Sequence, residues 1–437
     1  MAVAYYAESD KESEIMKIRA IAYNLIRDWD ESGEYPNLAL KKALRTVADE
    51  RDRRFISAIV YGVVEKKITL DHFIRQCSAR PFDKISPAIL NALRMGIYQM
   101  FYLNIPESAA CNTMVEIVKT SGFSHSSGFV NAVLRRCAKE KEELLLLKKA
   151  DYSVRFSIAP QIVDLLLDQY GKETFLKIIG GIESQDHSIY LFHNHRKGAE
   201  KDFISVMRDE GIELKSTEIP HLFKSNRGFS VESSTAYNDG WFHVIGLNSA
   251  RAAALAPTDA KVILDLCAAP GGKTFVMAAN TDAELFSFDI HTHKVDLMKK
   301  TAMRLGHNNV SFSNGDSSKF NSKFIESADF VLCDVPCSGL GIMGKKPDIK
   351  YKEYDSVSLR ETQYKILENG SQYLKNGSLL VYSTCTLDRR ENEDQVERFL
   401  KENPDFNLDK TVLKNGMETY LPDGCEDGFF IAVLRKD

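Results

Sequence analysis

The chain has 437 residues, and because a single hydrophobic core stops growing near ~250–300 residues, more than one domain is expected. Hydrophobic residues at 44% and charged residues at 27%, with 25 Gly and 12 Pro, exclude collagen, low-complexity disorder and coiled-coil rods. Lys and Arg total 57 against 61 Asp and Glu, a net charge of −4, so there is no global basic footprint and any nucleic-acid site is local. The N-terminus MAVAYYAESDKESE lacks a basic region followed by an apolar one. The densest apolar run, Leu144 to Leu147, falls far short of the ~20 residues of a membrane span, so a soluble, cytoplasmic chain is expected. The eight cysteines, at 77, 111, 137, 267, 333, 337, 385 and 425, contain no Cys-x-x-Cys pair, which indicates neither a metal site nor structural disulfides.

From Lys11 to about Glu142 the spacing predicts helices throughout. Ile15, Ile18, Ala22, Leu25 and Trp29 recur at intervals of three and four, one face of a helix. Ser86 and Pro87 offer a capping hydroxyl and a φ-locked residue ahead of the stripe Leu90, Leu93, Ile97 and Phe101. Residues 112–120 and 128–139 read as further helices, separated by Gly122 and the serines at 124, 126 and 127. The pattern then predicts three domains: an all-α bundle at 1–146, a small α/β module at 147–238, and an α/β domain at 239–437. The middle module carries a helix at 160–170 and strand-like runs at 188–192 and 228–231. In the last part, apolar runs at 262–266, 285–290, 310–313, 330–333 and 378–382 alternate with helical stretches, which implies a largely parallel, doubly wound, Rossmann-like sheet.

The strongest local signal is the run VILDLCAAPGGKT at 262–274, a buried strand entering a glycine turn and a helix. Cys267, Ala268, Ala269, Pro270, Gly271, Gly272 and Lys273 form the turn; its glycines let backbone approach a ligand, and the helix start offers unpaired N–H groups. A P-loop would need Gly where Cys267 stands, and the G-x-G-x-x-G fingerprint is missing, which disfavours both ATP and a dinucleotide. Asp289, Asp316 and Asp334 each end a strand-like run on what would be one edge of the sheet. Singly such aspartates are turn formers or caps; repeated at strand ends, they converge on the 267–273 loop. Two later strand ends carry Cys337, in Pro-Cys, and Cys385, in Thr-Cys. An ionised thiol is a strong nucleophile, and the chemistry alone allows either to be it. Cys77, Cys111, Cys137 and Cys425 are read as inert.

These segments match a known pattern. LDLCAAPGGKT, the Asp289 strand end, Asn-Gly-Asp at 314–316, DVPCSGLG from 334, KKPDIK from 345, YSTCTLDRRENE from 382 and EDGFFIA from 426 resemble, in order, the motifs of the Nol1/Nop2/Sun family of RNA cytosine-C5 methyltransferases. RDRRFISAIVYGVVEKK from 51, LRMGIYQMFYLNIPESAACNTMVEIVK from 93 and GFVNAVLRR from 128 resemble the NusB-like domain of the bacterial Sun-type (Fmu) branch, which methylates small-subunit ribosomal RNA.

The resemblance implies an S-adenosyl-L-methionine-dependent enzyme that forms 5-methylcytosine in 16S ribosomal RNA, at cytosine 967. Its substrate would be the RNA alone or within an assembling small subunit, and it would work as a monomer. It implies Cys385 as the nucleophile, Cys337 as an aid to product release, and Asp334 as a residue of both the cofactor pocket and the cytosine site. The 267–273 loop would face the methionine portion, Asp289 the ribose and Asp316 the adenine, with Lys294 helping to set the cofactor. Lys345, Lys346, Lys350 and Lys352, with Arg135 and Arg136, would meet RNA. One departure stands out: where the family carries Val-Gln-Asp, this chain has Val244, Ile245 and Gly246, which puts local packing or RNA contacts there in question. A transfer-RNA methyltransferase and a non-catalytic ribosome-assembly factor on the same fold are the competing readings.

Overall fold

The computed structural model describes every residue except 1, 34–36, 148–149, 185–187, 354–355 and 425, and the side chains from 15 onward. Cys425 therefore lies outside the described residues. The chain forms two compact units, Met1–Leu165 with Lys345–Lys352, and Leu166–Gly344 with Glu353–Asp437. Among the described residues no helix is long and apolar enough to cross a membrane.

The first unit is helical. Its centre is the helix Pro87–Phe101, in which every residue except Pro87 and Tyr98 is buried, as expected for a helix with neighbours on all sides. Ser86 occupies the cap position, but its hydroxyl makes no capping bond, contrary to expectation; Pro87, with its fixed φ, sets the start. Ile18, Ala22, Leu25 and Trp29 are buried along Ala2–Ser32, whereas Ile15 is 46% exposed because packing begins one turn later. Glu107–Val118 and Ser127–Lys139 are separated by Gly122 at φ +89°, the break the sequence signals. Cys77, Cys111 and Cys137 are buried in this bundle.

Residues Lys345–Lys352 belong to this unit, which overturns part of the expected basic RNA surface. Lys350 is 1% exposed, with its Nζ 3.6 Å from Glu65, so it has no face to offer a phosphate. Lys352, paired with Asp348 at 3.0 Å, stays exposed. Tyr351 Oη donates to Glu65 O at 2.6 Å and accepts from Lys67 N at 3.2 Å, fixing the segment to the bundle.

The second unit holds two sheets. Strands β1 (Tyr190–His193), β2 (Leu214–Ser216), β3 (Leu222–Ser225) and β4 (Phe242–Val244) form an antiparallel sheet in the order β2-β3-β1-β4. The strand expected at 228–231 is absent: residues 228–230 are irregular and lead into a short 3-10 turn, Val231–Ser233. The paired run lies earlier, where Leu222 and Phe223 are buried.

The larger sheet comprises β5 (Val262–Asp265), β6 (Glu284–Asp289), β7 (Val310–Asn314), β8 (Ala328–Asp334), β9 (Leu374–Thr384), β10 (Phe406–Leu408), β11 (Met417–Tyr420) and β12 (Phe429–Lys436). Its order is β10-β12-β9-β8-β5-β6-β7, with β11 also on β12. The five strands read from the sequence pair in parallel, and β12 adds antiparallel to β9. The chain runs from β5 out to β6 and β7, then returns to β8 on the other side of β5. Ligands of such sheets bind beyond the strand carboxyl ends at this reversal.

Candidate active site

At the carboxyl end of β5 the chain turns sharply into the helix Gly272–Asn280. Gly271 adopts φ +101°, and a Cβ there would lie 2.7 Å from the Phe275 ring and 3.1 Å from Met298, so only glycine serves. The turn is tied by Gly271 N to Ala268 O at 2.7 Å and by Ala268 N to Phe288 O at 2.8 Å, and it contains a cis Ala269–Pro270 bond. No side chain caps the helix, and its first-turn N–H groups have no intrahelical acceptor. The departure at 244–246 finds its place here. Ile245 is buried, lies within 3.4 Å of where a Gly272 Cβ would stand, and Gly246 precedes the helix Leu247–Ala253.

The strand-end aspartates reach the same edge. Asp289 closes β6, with Oδ1 accepting from His291 N at 2.9 Å. Asp316, two residues beyond β7, accepts from Ser318 Oγ at 2.6 Å and Ser318 N at 3.1 Å, bonds that hold its carboxyl below the usual range. It lines a cavity of about 690 Å³ together with Leu266, Phe288 and Tyr373. Asp334 closes β8, its Oδ2 2.6 Å from Lys273 Nζ and its Oδ1 accepting from Ser383 Oγ at 2.7 Å. Lys273 also donates to Ser249 Oγ at 3.2 Å. Lys294 is half-buried in the first turn of the helix after Asp289 and forms no ion pair among the described residues.

Cys337 and Cys385 meet beside Asp334, their sulfurs 3.3 Å apart and not bonded as a disulfide. The two loops lie backbone to backbone: Gly341 N donates to Cys385 O at 2.9 Å, and Gly428 N donates to Gly341 O at 2.8 Å. A Cβ on Gly341 would collide with Gly428 O and stand 2.8 Å from Cys385 O. The hydrogen bond to Cys385, reinforced by burial, pushes the Cys337 thiol well up.

Three buried polar residues of this region are missing from the sequence reading. Asp265, 1% exposed, accepts from Thr274 Oγ1 at 2.6 Å while its Oδ1 has no partner, and burial pushes its carboxyl up to about 7. Glu391 accepts from Ser338 N at 2.9 Å and Gln363 Nε2 at 2.8 Å through one oxygen; its other oxygen has no partner, and burial raises its pKa. Asn392 holds the opposite loop. An acid inside the apolar run at 262–266 was the available signal for Asp265; nothing in the sequence marks the other two apart from their neighbours. A ligand suited to this edge carries hydroxyls and amines for the carboxylates, an acidic group for the helix start, and positive charge.

Comparison with known proteins gives the same picture. Residues 252–435 match the family model for 16S rRNA methyltransferase RsmB/F, and residues 16–139 match that for the NusB family. The chain is 33% identical to the probable ribosomal RNA small subunit methyltransferase B of Bacillus subtilis, over 96% of this chain and 98% of the relative. It is 30% identical to the protein of the same description from Synechocystis, over 97% and 100%. Its fold resembles the crystal structure of PH0851 at TM-score 0.79 and 22% identity, over 96% and 98% of the two chains. It also resembles that of NSun6 from Pyrococcus horikoshii with SFG, at TM-score 0.57 and 20% identity, over 64% and 98%.

Proposed function

Because the chain belongs to the ribosomal RNA small subunit methyltransferase B family of S-adenosylmethionine-dependent RNA methyltransferases, we propose that it methylates C5 of cytosine 967 in 16S ribosomal RNA through a covalent adduct on Cys385. The observation that carries this reading is the pair of thiols, 3.3 Å apart and not joined as a disulfide, beyond the ends of β8 and β9 beside the Asp334–Lys273 pair.

The residues present fit the cofactor. Asp289 and Asp316 accept hydrogen bonds from hydroxyl and amine groups, the 267–273 turn brings N–H groups and a Cβ-free surface, and the acidic edge complements a cation. When bound, S-adenosylmethionine supplies an electrophilic methyl sulfonium. Lys273 is held by Asp334 and Ser249 at the start of the helix, and Lys294 stands one turn beyond Asp289.

C5 of cytosine is a poor nucleophile until the ring is saturated at C6. Cys385 Sγ bonds to C6 as its thiol proton passes to N3, and the C5–C6 π pair moves to C5, which would take the methyl group of a bound S-adenosylmethionine and leave S-adenosylhomocysteine. The proton on N3 draws electron density from C6, and Asp334 accepts a hydrogen bond from N3–H and so stabilises that protonated ring. A base then removes the C5 proton, the double bond re-forms, and the Cys385 thiolate leaves. Cys337 suits that last role. In the free protein the bond to Cys385 holds its proton; once Cys385 is alkylated that acceptor is gone, and the thiol can release its proton to solvent and take the one from C5.

The base must be unstacked to be reached from its face. In this reading the helical segment 1–146 adds RNA affinity, 147–238 links it to the catalytic segment 239–437, and Lys345, Lys346, Lys352, Arg135 and Arg136 are the residues for phosphate contact. The protein would act as a cytoplasmic monomer on free RNA or an assembling subunit. Cys385→Ala should abolish turnover while S-adenosylhomocysteine still binds, and Cys337→Ala should accumulate a protein–RNA complex that survives a denaturing gel. Normal turnover by Cys385→Ala contradicts the nucleophile assignment.

A further inference from the structure

Glu391 and Asn392 are adjacent, fully buried, and attached to opposite cysteine loops. Glu391 Oε2 accepts from the backbone N–H of Ser338, the residue after Cys337, at 2.9 Å; Gln363 Nε2 donates to the same oxygen at 2.8 Å. Gln363 in turn reaches Pro336 O at 2.9 Å, so the residues on both sides of Cys337 are held through one carboxylate and one amide. Asn392 grips the residues on both sides of Cys385: its Oδ1 accepts from Thr384 Oγ1 at 2.6 Å, and its Nδ2 donates to Thr386 O at 3.1 Å. The backbone between the two side chains is pinned as well, since Tyr382 Oη donates to Glu391 O at 2.6 Å. A cross-link between the loops, Ser338 Oγ to Thr386 Oγ1 at 2.7 Å, closes the arrangement.

We propose that Glu391 and Asn392 are positioning residues that set the spacing of the two thiols, Glu391 serving the step assigned to Cys337 and Asn392 the step assigned to Cys385. The proposal rests on the covalent reading above. It makes the two neighbours fail in opposite ways. Asn392→Ala frees the Thr-Cys loop, so attack on C6 slows and no protein–RNA complex forms. Glu391→Ala frees the Pro-Cys loop, so attack and methyl transfer proceed while release slows. The hydrogen bonds to Glu391 need only an acceptor oxygen, not a charge, so Glu391→Gln keeps them.

The test compares these three variants with the unchanged protein, Cys385→Ala and Cys337→Ala, using 16S ribosomal RNA lacking 5-methylcytosine. Single-turnover methyl transfer, multiple-turnover rate and denaturing-gel complex are measured, with S-adenosylhomocysteine binding and thermal melting as checks on folding. For Glu391→Ala the expectation is an about 100-fold loss of multiple turnover, single-turnover transfer within about threefold, and an accumulated complex. For Asn392→Ala it is an about 100-fold loss of single-turnover transfer with no complex. Glu391→Gln should restore turnover to within about threefold of the unchanged protein. The same defect in both alanine variants, or a glutamine variant as slow as the alanine one, would overturn the proposal. Absence of a complex in Cys337→Ala would instead overturn the covalent release reading on which it stands.

Discussion

Two arrangements of buried carboxylates, one in each unit, are satisfied differently. In the helical unit Arg94, 3% exposed, donates to Asp71 at 2.6 and 2.9 Å, to Asp30 at 3.1 Å and to Asn91 at 2.7 Å, while Lys67 meets Asp30 at 2.7 Å. Each carboxylate oxygen of Asp30 and Asp71 has a donor. In the catalytic unit Asp265 and Glu391 each keep one oxygen with no partner, although both are as deeply buried. A saturated network serves the fold, because desolvation is offset at each atom; an unsaturated acid costs stability and is kept where its ionisation or its hold on a loop has a use.

The comparison breaks most severely at Arg94. Arg94→Met should destabilise the helical unit by about 3–5 kcal/mol, since it strands the buried Asp71 and takes a donor from the half-buried Asp30, and chemical denaturation should show the loss. A change below 1 kcal/mol would mean that the network contributes little. In the catalytic unit Gly341→Ala should cost about 1–3 kcal/mol by forcing the Pro-Cys loop off Gly428 and Cys385, with turnover falling alongside the melting temperature.

Asp265 sharpens the contrast through pH. Its folded pKa near 7 lies above an unfolded value of about 3.9, so between these values the folded state binds more protons than the unfolded one. Its contribution to stability is therefore fully present below pH ~4 and lost as pH rises through ~7. Asp265→Asn removes that dependence: the stability of the natural protein relative to the variant should fall steadily across the window. A constant difference would contradict the assignment. The smallest effect belongs to the surface: Arg54→Ala, which removes an exposed i,i+4 pair with Glu50, should change stability by less than about 0.5 kcal/mol.

Much of this was legible in the sequence wherever pattern and environment coincide. The parallel strands β5 to β8 are short runs that end in aspartate or are followed by glycine, and Ile18, Ala22, Leu25 and Trp29 keep helical spacing because one face is buried. Strand β12 escaped because its eight residues, buried from Phe429 to Leu434, show no alternation. Lys350 was misread because a charge run resembles a solvated face, whereas its neighbours Tyr351 and Ile349 carry it into the helical unit. The candidate site was legible at the strand ends, where residue type and position both speak. Glu391 and Asn392 were not, since their meaning lies in which loops they touch, and residues 336–338 and 384–386 are brought together by the pairing of β8 with β9.

The most direct measurement is transfer of labelled methyl to 16S ribosomal RNA lacking 5-methylcytosine, with the product base mapped and Cys385→Ala run beside the natural protein. The account predicts one 5-methylcytosine, at cytosine 967, and none from the variant. Label on another atom, on transfer RNA alone, or undiminished by loss of Cys385 would contradict it.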